Sequence, residues 1–276
     1  MDTYRKFTKA TLAWYKRYGR DLPWRNTQDP YHIFVSECML QQTQVSRVIP
    51  KYEAFLQAFP TVTHLANASL RDVIVLWSGL GYNRRAKYLW QAANVIVKTH
   101  SGHIPDDPQK LEQLPGFGAY SANAIAAFAF NKPVVVIDAN IKRVFNYVFG
   151  LEQSEIANAV ARCVPKNHSR DFYNALMDIG SLYYKSTSTY ETYPYASFCF
   201  FYNKKSIPPL KKVKQKSFKD SDRFYRGQIL KQLVQAQELD AATLNKDTRY
   251  AIALSQLCEE GLVMCEKNRV FLPKSS

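Results

Sequence analysis

Apolar residues recur at helical spacing through most of residues 1–200. In residues 6–18, Phe7, Ala10 and Trp14 fall on one face. The pattern stops near Gly19, and Leu22-Pro23-Trp24-Arg25 follows as an extended loop. Residues 30–46 predict a second helix, with Pro30 at its start, where a missing N–H removes no helical bond. The same periodicity predicts helices over 47–58, 69–76, 83–99, 108–113, 119–130, 138–148, 153–163 and 170–184. Phe59-Pro60, Ser78-Gly79-Leu80-Gly81, Ser101-Gly102 and Leu114-Pro115-Gly116 punctuate them as loops. Val134-Val135-Val136-Ile137 imitates a strand, but this stretch contains no convincing one. The expected class is mainly α, without internal repeats or low-complexity tracts.

The composition changes at Asn203. Residues 203–219 hold seven lysines, Pro208-Pro209 and no acid, the signature of a linker or basic arm. Beyond it, Arg223–Gln235 predicts a helix with Ile229, Leu230, Leu233 and Val234 on one side. Residues 248–260 predict another, and Leu262–Cys265 with Val270–Leu272 predict a hairpin around Lys267-Asn268. Helices followed by a hairpin suggest a winged-helix-like module; a small packing appendage explains the pattern as well. The expected organisation is therefore a core over 1–202, a basic linker over 203–220 and a separate module over 221–276.

Charge narrows the partners. Across 276 residues, 37 Lys+Arg against 23 Asp+Glu give a net charge of +14. Such a chain attracts polyanions, of which nucleic acid is the commonest, although a merely soluble basic protein has the same balance. Residues 1–6 lack the apolar region of a secretory signal, and no apolar run approaches the roughly 18 residues of a membrane span. The five cysteines (Cys38, Cys163, Cys199, Cys258, Cys265) are odd in number, scattered, and without a Cys-x-x-Cys pair. A disulfide framework is not expected, and a cytoplasmic, DNA-associated setting without membrane contact fits.

Two segments carry candidate chemistry. Leu114-Pro115-Gly116-Phe117-Gly118 runs into the helix 119–130. Two glycines permit a tight turn that exposes backbone N–H groups, and the helix adds its positive end. Together they suit one phosphate of a DNA strand; a simple turn between helices is the plainer explanation. Asp138 follows an apolar run and precedes Ile141 and Val144, which makes it an excellent helix N-cap. The functional alternative is a carboxylate facing a sugar that is losing its base.

Six segments in order resemble the helix-hairpin-helix glycosylase superfamily, in its adenine DNA glycosylase (MutY-type) branch. They are Leu22-Pro23-Trp24-Arg25, Ser36-Glu37-Cys38-Met39-Leu40-Gln41-Gln42-Thr43-Gln44-Val45, Trp77-Ser78-Gly79-Leu80-Gly81-Tyr82, Leu114-Pro115-Gly116-Phe117-Gly118, Asp138-Ala139-Asn140-Ile141-Lys142-Arg143-Val144 and Met177-Asp178-Ile179-Gly180. The resemblance runs from about Trp14 to about Gly180, and the 39–44 segment is similar to this branch and not to endonuclease III. It implies a six-helix barrel over about 27–133 and a second subdomain from 1–26 plus 134–202.

What the resemblance implies makes chemical sense. Adenine leaves only when a ring nitrogen is protonated, which needs an acid that keeps its proton near neutrality. Glu37 matches that acid, and its neighbours Phe34, Val35, Cys38, Met39 and Leu40 would desolvate it and raise its pKa. Asp138 matches the ionised carboxylate that stabilises the oxocarbenium-like sugar, with Asn140 able to hydrogen-bond beside it. Relatives that also nick the strand carry a lysine where Tyr120 stands; tyrosine forms no Schiff base, so a monofunctional hydrolase with little or no lyase step is expected. The target base must be flipped from duplex DNA. By resemblance Gln41, Gln42, Thr43, Leu80 and Tyr82 wedge the stack and touch the opposite base, while Trp24 and Arg25 lie near the adenine pocket. For Leu80 and Tyr82 a core role suits equally. The implied partner is duplex DNA bearing an adenine mispair, bound by a monomer.

The chain departs from the family twice. Most relatives hold a [4Fe–4S] cluster on four cysteines after the segment matching 177–180. Here Tyr184, Tyr190 and Tyr193 stand roughly where three of them would be, and only Cys199 remains. One thiolate cannot hold a four-ligand cluster, so no cofactor and no metal is expected, and the tyrosines would pack with Tyr183, Tyr195 and Phe198 as an aromatic plug. Full-length relatives also carry a long C-terminal domain that reads 8-oxoguanine; residues 221–276 are too few for it. Activity on adenine opposite guanine or 8-oxoguanine is expected, with weaker preference between them. Two alternatives stay open: a thymine or uracil mismatch glycosylase, and a non-catalytic DNA-binding protein.

Overall fold

The computed structural model describes residues 2–184, 192–203 and 221–273. The lysine-rich stretch 204–220 and Tyr190 lie outside the described residues. The first helices are α1 (Thr3–Tyr18), α2 (Pro30–Leu40), α3 (Val45–Ala58), α4 (Val62–Ala66), α5 (Leu70–Trp77) and α6 (Arg84–His100). Then come α7 (Pro108–Glu112), α8 (Ala119–Phe130), α9 (Ala139–Phe149), α10 (Ile156–Cys163), α11 (Ser169–Leu182) and α12 (Phe200–Asn203). The C-terminal part holds α13 (Asp222–Ala236), β1 (Glu238–Asp240), α14 (Ala241–Leu244), α15 (Thr248–Glu259), β2 (Met264–Glu266) and β3 (Arg269–Phe271). None of the described helices is long and apolar enough to cross a membrane.

These elements form two compact units. One comprises Met1–Ile33, Asp106–Gln113 and Phe117–Lys211; the other comprises Phe34–Pro105, Leu114–Gly116 and Lys212–Ser276. The boundary passes through α2 and through the 114–118 turn.

The first unit is held by an aromatic core. Phe7 of α1 packs against Phe145, Phe149, Phe172 and Tyr195 at centroid distances of 4.7 to 6.1 Å. The run 134–137 that imitates a strand forms no ladder. Side chains satisfy its backbone instead: the Tyr173 hydroxyl accepts from Val136 N at 3.1 Å and donates to Val134 O, and Asn123 donates to Val135 O at 3.1 Å. That anchored segment delivers Asp138 to the start of α9.

In the second unit the expected helix over 30–46 ends at Leu40, and α3 starts at Val45 rather than at residue 47. The cause is Arg85. Its guanidinium donates to the carbonyls of Cys38 and Met39, each at 2.9 Å, and of Gln41 at 2.6 Å. It thereby caps the open C-terminal end of α2 and lets the chain turn at Gln42, which adopts φ +56°.

Residues 221–273 follow a helix–strand–helix–helix–hairpin order, and β1 and β2 both pair antiparallel with β3. This is the winged-helix arrangement. The expectation of a separate C-terminal unit needs correction: Leu70 and Ile74 of α5 share one apolar cluster with Ile229, Leu233 and Leu257, so the module packs into the second unit. Helix α8, expected in a barrel over 27–133, belongs to the first unit.

Candidate active site

Asp138 caps α9, its Oδ1 accepting from Ile141 N at 2.7 Å. Its Oδ2 accepts from Asn140 Nδ2 at 2.9 Å, and Arg143 reaches Asn140 Oδ1 at 3.4 Å and Gly180 O at 2.8 Å. Burial pushes the Asp138 carboxyl above the usual aspartate range, opposed by the Ile141 N–H, the Asn140 amide and the Arg143 charge. Capping and chemistry are compatible here, because the capping bond uses one oxygen.

The segment 177–180 builds this corner. A Cβ placed on Gly180 would fall 2.6 Å from Asn140 Cβ, so glycine is needed for α11 to approach the start of α9. Asp178 is fully buried and receives Arg20 N at 3.0 Å, Arg20 Nε at 2.5 Å, and both terminal nitrogens of Arg25 at 2.7 and 2.9 Å. Arg25, expected near an adenine pocket, is thus committed to a bidentate buried pair that ties the 22–25 segment to α11. Trp24 beside it is 8% exposed. Tyr120, in the first turn of α8, is exposed.

The other expected acid belongs to the second unit. Glu37 is half-buried on α2, between residues of which Phe34, Val35, Ser36, Cys38 and Met39 are each buried. Its neighbour Cys38 is enclosed: burial pushes that thiol up to about 12 against the Arg85 charge, with Glu37 adding to the rise.

Arg85 also joins the two loops expected to probe the duplex. Besides the end of α2 it donates to Thr43 Oγ1 at 3.0 Å and Gly81 O at 2.9 Å, and Thr43 Oγ1 donates to Leu80 O at 3.3 Å. Gln42 is exposed and Gln41 half-buried. Of the two roles left open for Leu80, wedge and core, its 4% exposure fits the core. Tyr82 is the exposed member, with φ +49°.

The 114–118 turn reads as expected in its backbone. Leu114 and Phe117 are buried anchors. Gly116 adopts φ +79°, and a Cβ there would meet Tyr88 Cβ at 2.5 Å. Gly118 begins α8 without a side-chain cap, and Gly116, Gly118 and Ala119 are exposed. An uncapped helix start with exposed glycines favours an anion.

Tyr184, Tyr193 and Cys199, which the resemblance sets roughly at cluster-ligand positions, belong to the same unit as Asp138. Tyr184 OH lies 3.0 Å from Tyr193 OH, which donates to Cys199 Sγ at 3.2 Å; that thiol donates to Tyr147 O at 3.3 Å. All four residues are buried, and Tyr195 beside them bonds Thr11 at 2.8 Å. Phenols and one thiol, bonded to one another, do not fit a site that needs four thiolates. Among the described residues, no group of three or more His, Cys, Asp or Glu is placed to hold a metal ion.

Residues 35–166 match the family described as HhH-GPD superfamily base excision DNA repair protein. The chain is 36% identical over 278 aligned residues to the adenine DNA glycosylase of Mycobacterium tuberculosis, covering 91% of this chain and 88% of that protein. The chain belongs to this superfamily, in its adenine DNA glycosylase branch. A solved thermostable thymine-DNA glycosylase superimposes with TM-score 0.67 at 27% identity, covering 73% of this chain and 97% of that one. A trapped endonuclease III–DNA intermediate shares the fold, with TM-score 0.63 at 16% identity, covering 74% of this chain and 99% of that one. The mycobacterial glycosylase leaves 9% of the chain unmatched, less than residues 221–276 occupy, so the likeness to this glycosylase extends into the winged-helix module.

The sequence reading gave no role to Arg85, Arg143 or Arg20, and did not foresee that Arg25 pairs with Asp178. Arg85 had a signal: it precedes Leu89 by one helical turn on the apolar face of α6, which also carries Ala86, Ala93 and Ile96.

Proposed function

We propose that this glycosylase hydrolyses the N-glycosidic bond of adenine mispaired with guanine or 8-oxoguanine in duplex DNA. The observation that carries the reading is Asp138: a carboxylate fixed by Ile141 N and Asn140 at a helix start, in a chain whose near-full-length relative is an adenine DNA glycosylase. Glu37 gives its proton to adenine N7, so that the base departs neutral as the C1′–N9 bond breaks. Ionised Asp138 stabilises the positive sugar, and water, deprotonated with the help of Glu37, adds to C1′. The exposed start of α8 at Gly116 and Gly118 takes a backbone phosphate, and Gln41, Gln42, Thr43 and Tyr82 contact the opposite strand. Tyr120 forms no imine, so strand nicking is minor. The protein acts as a monomer on chromosomal DNA, and without an iron–sulfur cluster.

The test is single-turnover cleavage of A:8-oxoG, A:G, A:C, T:G and U:G duplexes by the parent and by Asp138→Asn. Adenine release from the parent, lost in the variant, supports the reading. Release of T or U opposite G instead of adenine transfers it to the mismatch branch; the solved thymine-DNA glycosylase is the observation that keeps this second reading in the panel.

A further inference from the structure

Tyr82 is held from the C-terminal module as well as from its own turn. Arg223, exposed in the first turn of α13, donates a hydrogen bond to the Tyr82 hydroxyl and places its guanidinium 5.2 Å from the ring centroid. Arg85 places a second guanidinium 5.5 Å from the same ring and donates to Tyr82 O. An exposed aromatic is thus gripped by two cations and a hydroxyl bond, in a backbone conformation that few tyrosines adopt.

The grip depends on how α13 is fixed. Arg226, three residues after Arg223 and on the same face, makes a bidentate pair with Glu260. Lys87 Nζ donates to Glu260 O at 2.5 Å, and Arg84 lies 3.8 Å from the Glu260 carboxylate. With the apolar cluster around Leu70 and Ile74, these contacts set the register of α13 against α5 and α6. Arg223 itself contributes to neither, so its place beside Tyr82 is not explained by packing.

We propose that Arg223 is a positioning residue for Tyr82, through which the winged-helix module takes part in telling mispaired from paired DNA. The inference rests on the reading above that Tyr82 meets the strand opposite the adenine. A fixed phenol ring enters a stack without first losing rotamer freedom, and a planar cation beside it faces the polyanion it enters.

The test uses the full chain with Arg223→Ala, Arg223→Lys and Tyr82→Phe, singly and combined. Thermal unfolding is followed together with affinity for a mispaired and a fully paired duplex, each carrying a non-cleavable adenine nucleoside. The expected result is a fall of about five- to tenfold in the mispaired-over-paired ratio for Arg223→Ala, with Tm unchanged. Arg223→Lys should recover part of it, because charge remains and the planar donor is lost. In the Tyr82→Phe background, Arg223→Ala should remove less than in the parent. Equal losses on both duplexes, with a salt dependence shallower by about one unit, would make Arg223 an ordinary phosphate contact and overturn the inference. Effects that add fully with Tyr82→Phe would overturn it too. A parent that releases no adenine instead refutes the proposed activity.

Discussion

Gly180 and Asn140 are in direct backbone contact: a Cβ on Gly180 would lie 2.9 Å from the Asn140 carbonyl and 2.6 Å from its Cβ. Both are backbone-proximal atoms that cannot swing aside. Gly180→Ala therefore has to push the start of α9, and Asp138 with it, away from α11. Overpacking of this kind costs about 1–3 kcal/mol. Expected is a lowered unfolding midpoint in urea and a single-turnover rate at least tenfold down, with DNA affinity nearly kept. A variant with parental rate would show that the corner at Asp138 tolerates movement.

Burial holds the Asp138 carboxyl above its ordinary range, and the proposed reaction needs it ionised. Base release should then fall as pH drops through this raised value, so the acid limb of the pH–rate profile lies above the usual aspartate range. A group with a raised folded pKa contributes stability below its unfolded pKa and loses that contribution as pH rises through the folded one. Asp138→Asn keeps an acceptor for Ile141 N, and Asn caps helices about as well as Asp. The variant should be inactive yet at least as thermostable as the parent near neutrality, with the difference vanishing at low pH. A Tm well below the parent's at neutral pH would contradict this.

How much was legible depended on whether local or distant atoms decide the element. The long helices and the cap at Asp138 follow from local patterning, and so does the hairpin at 264–271, whose turn puts Lys267 at φ +54°. The end of α2 does not: residues 41–44 are all polar, but nothing local shows that a guanidinium from α6 closes the helix end. Strand β1 has three residues and exists because Leu239 pairs with Val270. Among candidate site residues, the motifs singled out Glu37, Asp138 and the 114–118 turn and left Leu80 between wedge and core, but gave no sign that Arg25 serves Asp178. A pattern gives residue identities; their partners come from packing.

Arg85 supplies a direct test of that distant control. It is 8% exposed and donates to five carbonyls and a hydroxyl, so its removal leaves several buried acceptors unpaired, at about 1–3 kcal/mol each. Arg85→Ala should lower stability by at least about 3 kcal/mol, and limited proteolysis should open the chain near Gln41–Thr43. Arg85→Lys, a point donor without the fork, should fall between.

Asp178 is buried against two arginines, one of them 7% exposed in its side chain. Breaking such a pair by removing one partner costs about 3–5 kcal/mol when the remaining charge stays buried, as that of Arg25 does; Arg20, 36% exposed in its side chain, adds little. Asp178→Asn should therefore destabilise strongly in denaturant titrations, although it lies outside the proposed chemistry. Added salt should not restore the loss, since the pair is shielded from solvent.

The buried chain Tyr184–Tyr193–Cys199–Tyr147 bears on the cofactor. If phenols have replaced cluster ligands, the protein's stability there comes from hydrogen bonds and ring packing: Tyr193 meets Tyr183 at 5.4 Å and Tyr195 at 5.4 Å. Tyr193→Phe keeps the rings but leaves the Tyr184 hydroxyl and the Cys199 thiol without their shared partner, for a loss of about 1–3 kcal/mol. Prolonged chelation should change neither Tm nor the rate of adenine release, and anaerobically purified protein should carry only trace iron. Stoichiometric iron with broad visible absorbance would overturn the proposal, since one buried thiol already donating to Tyr147 O offers no such site.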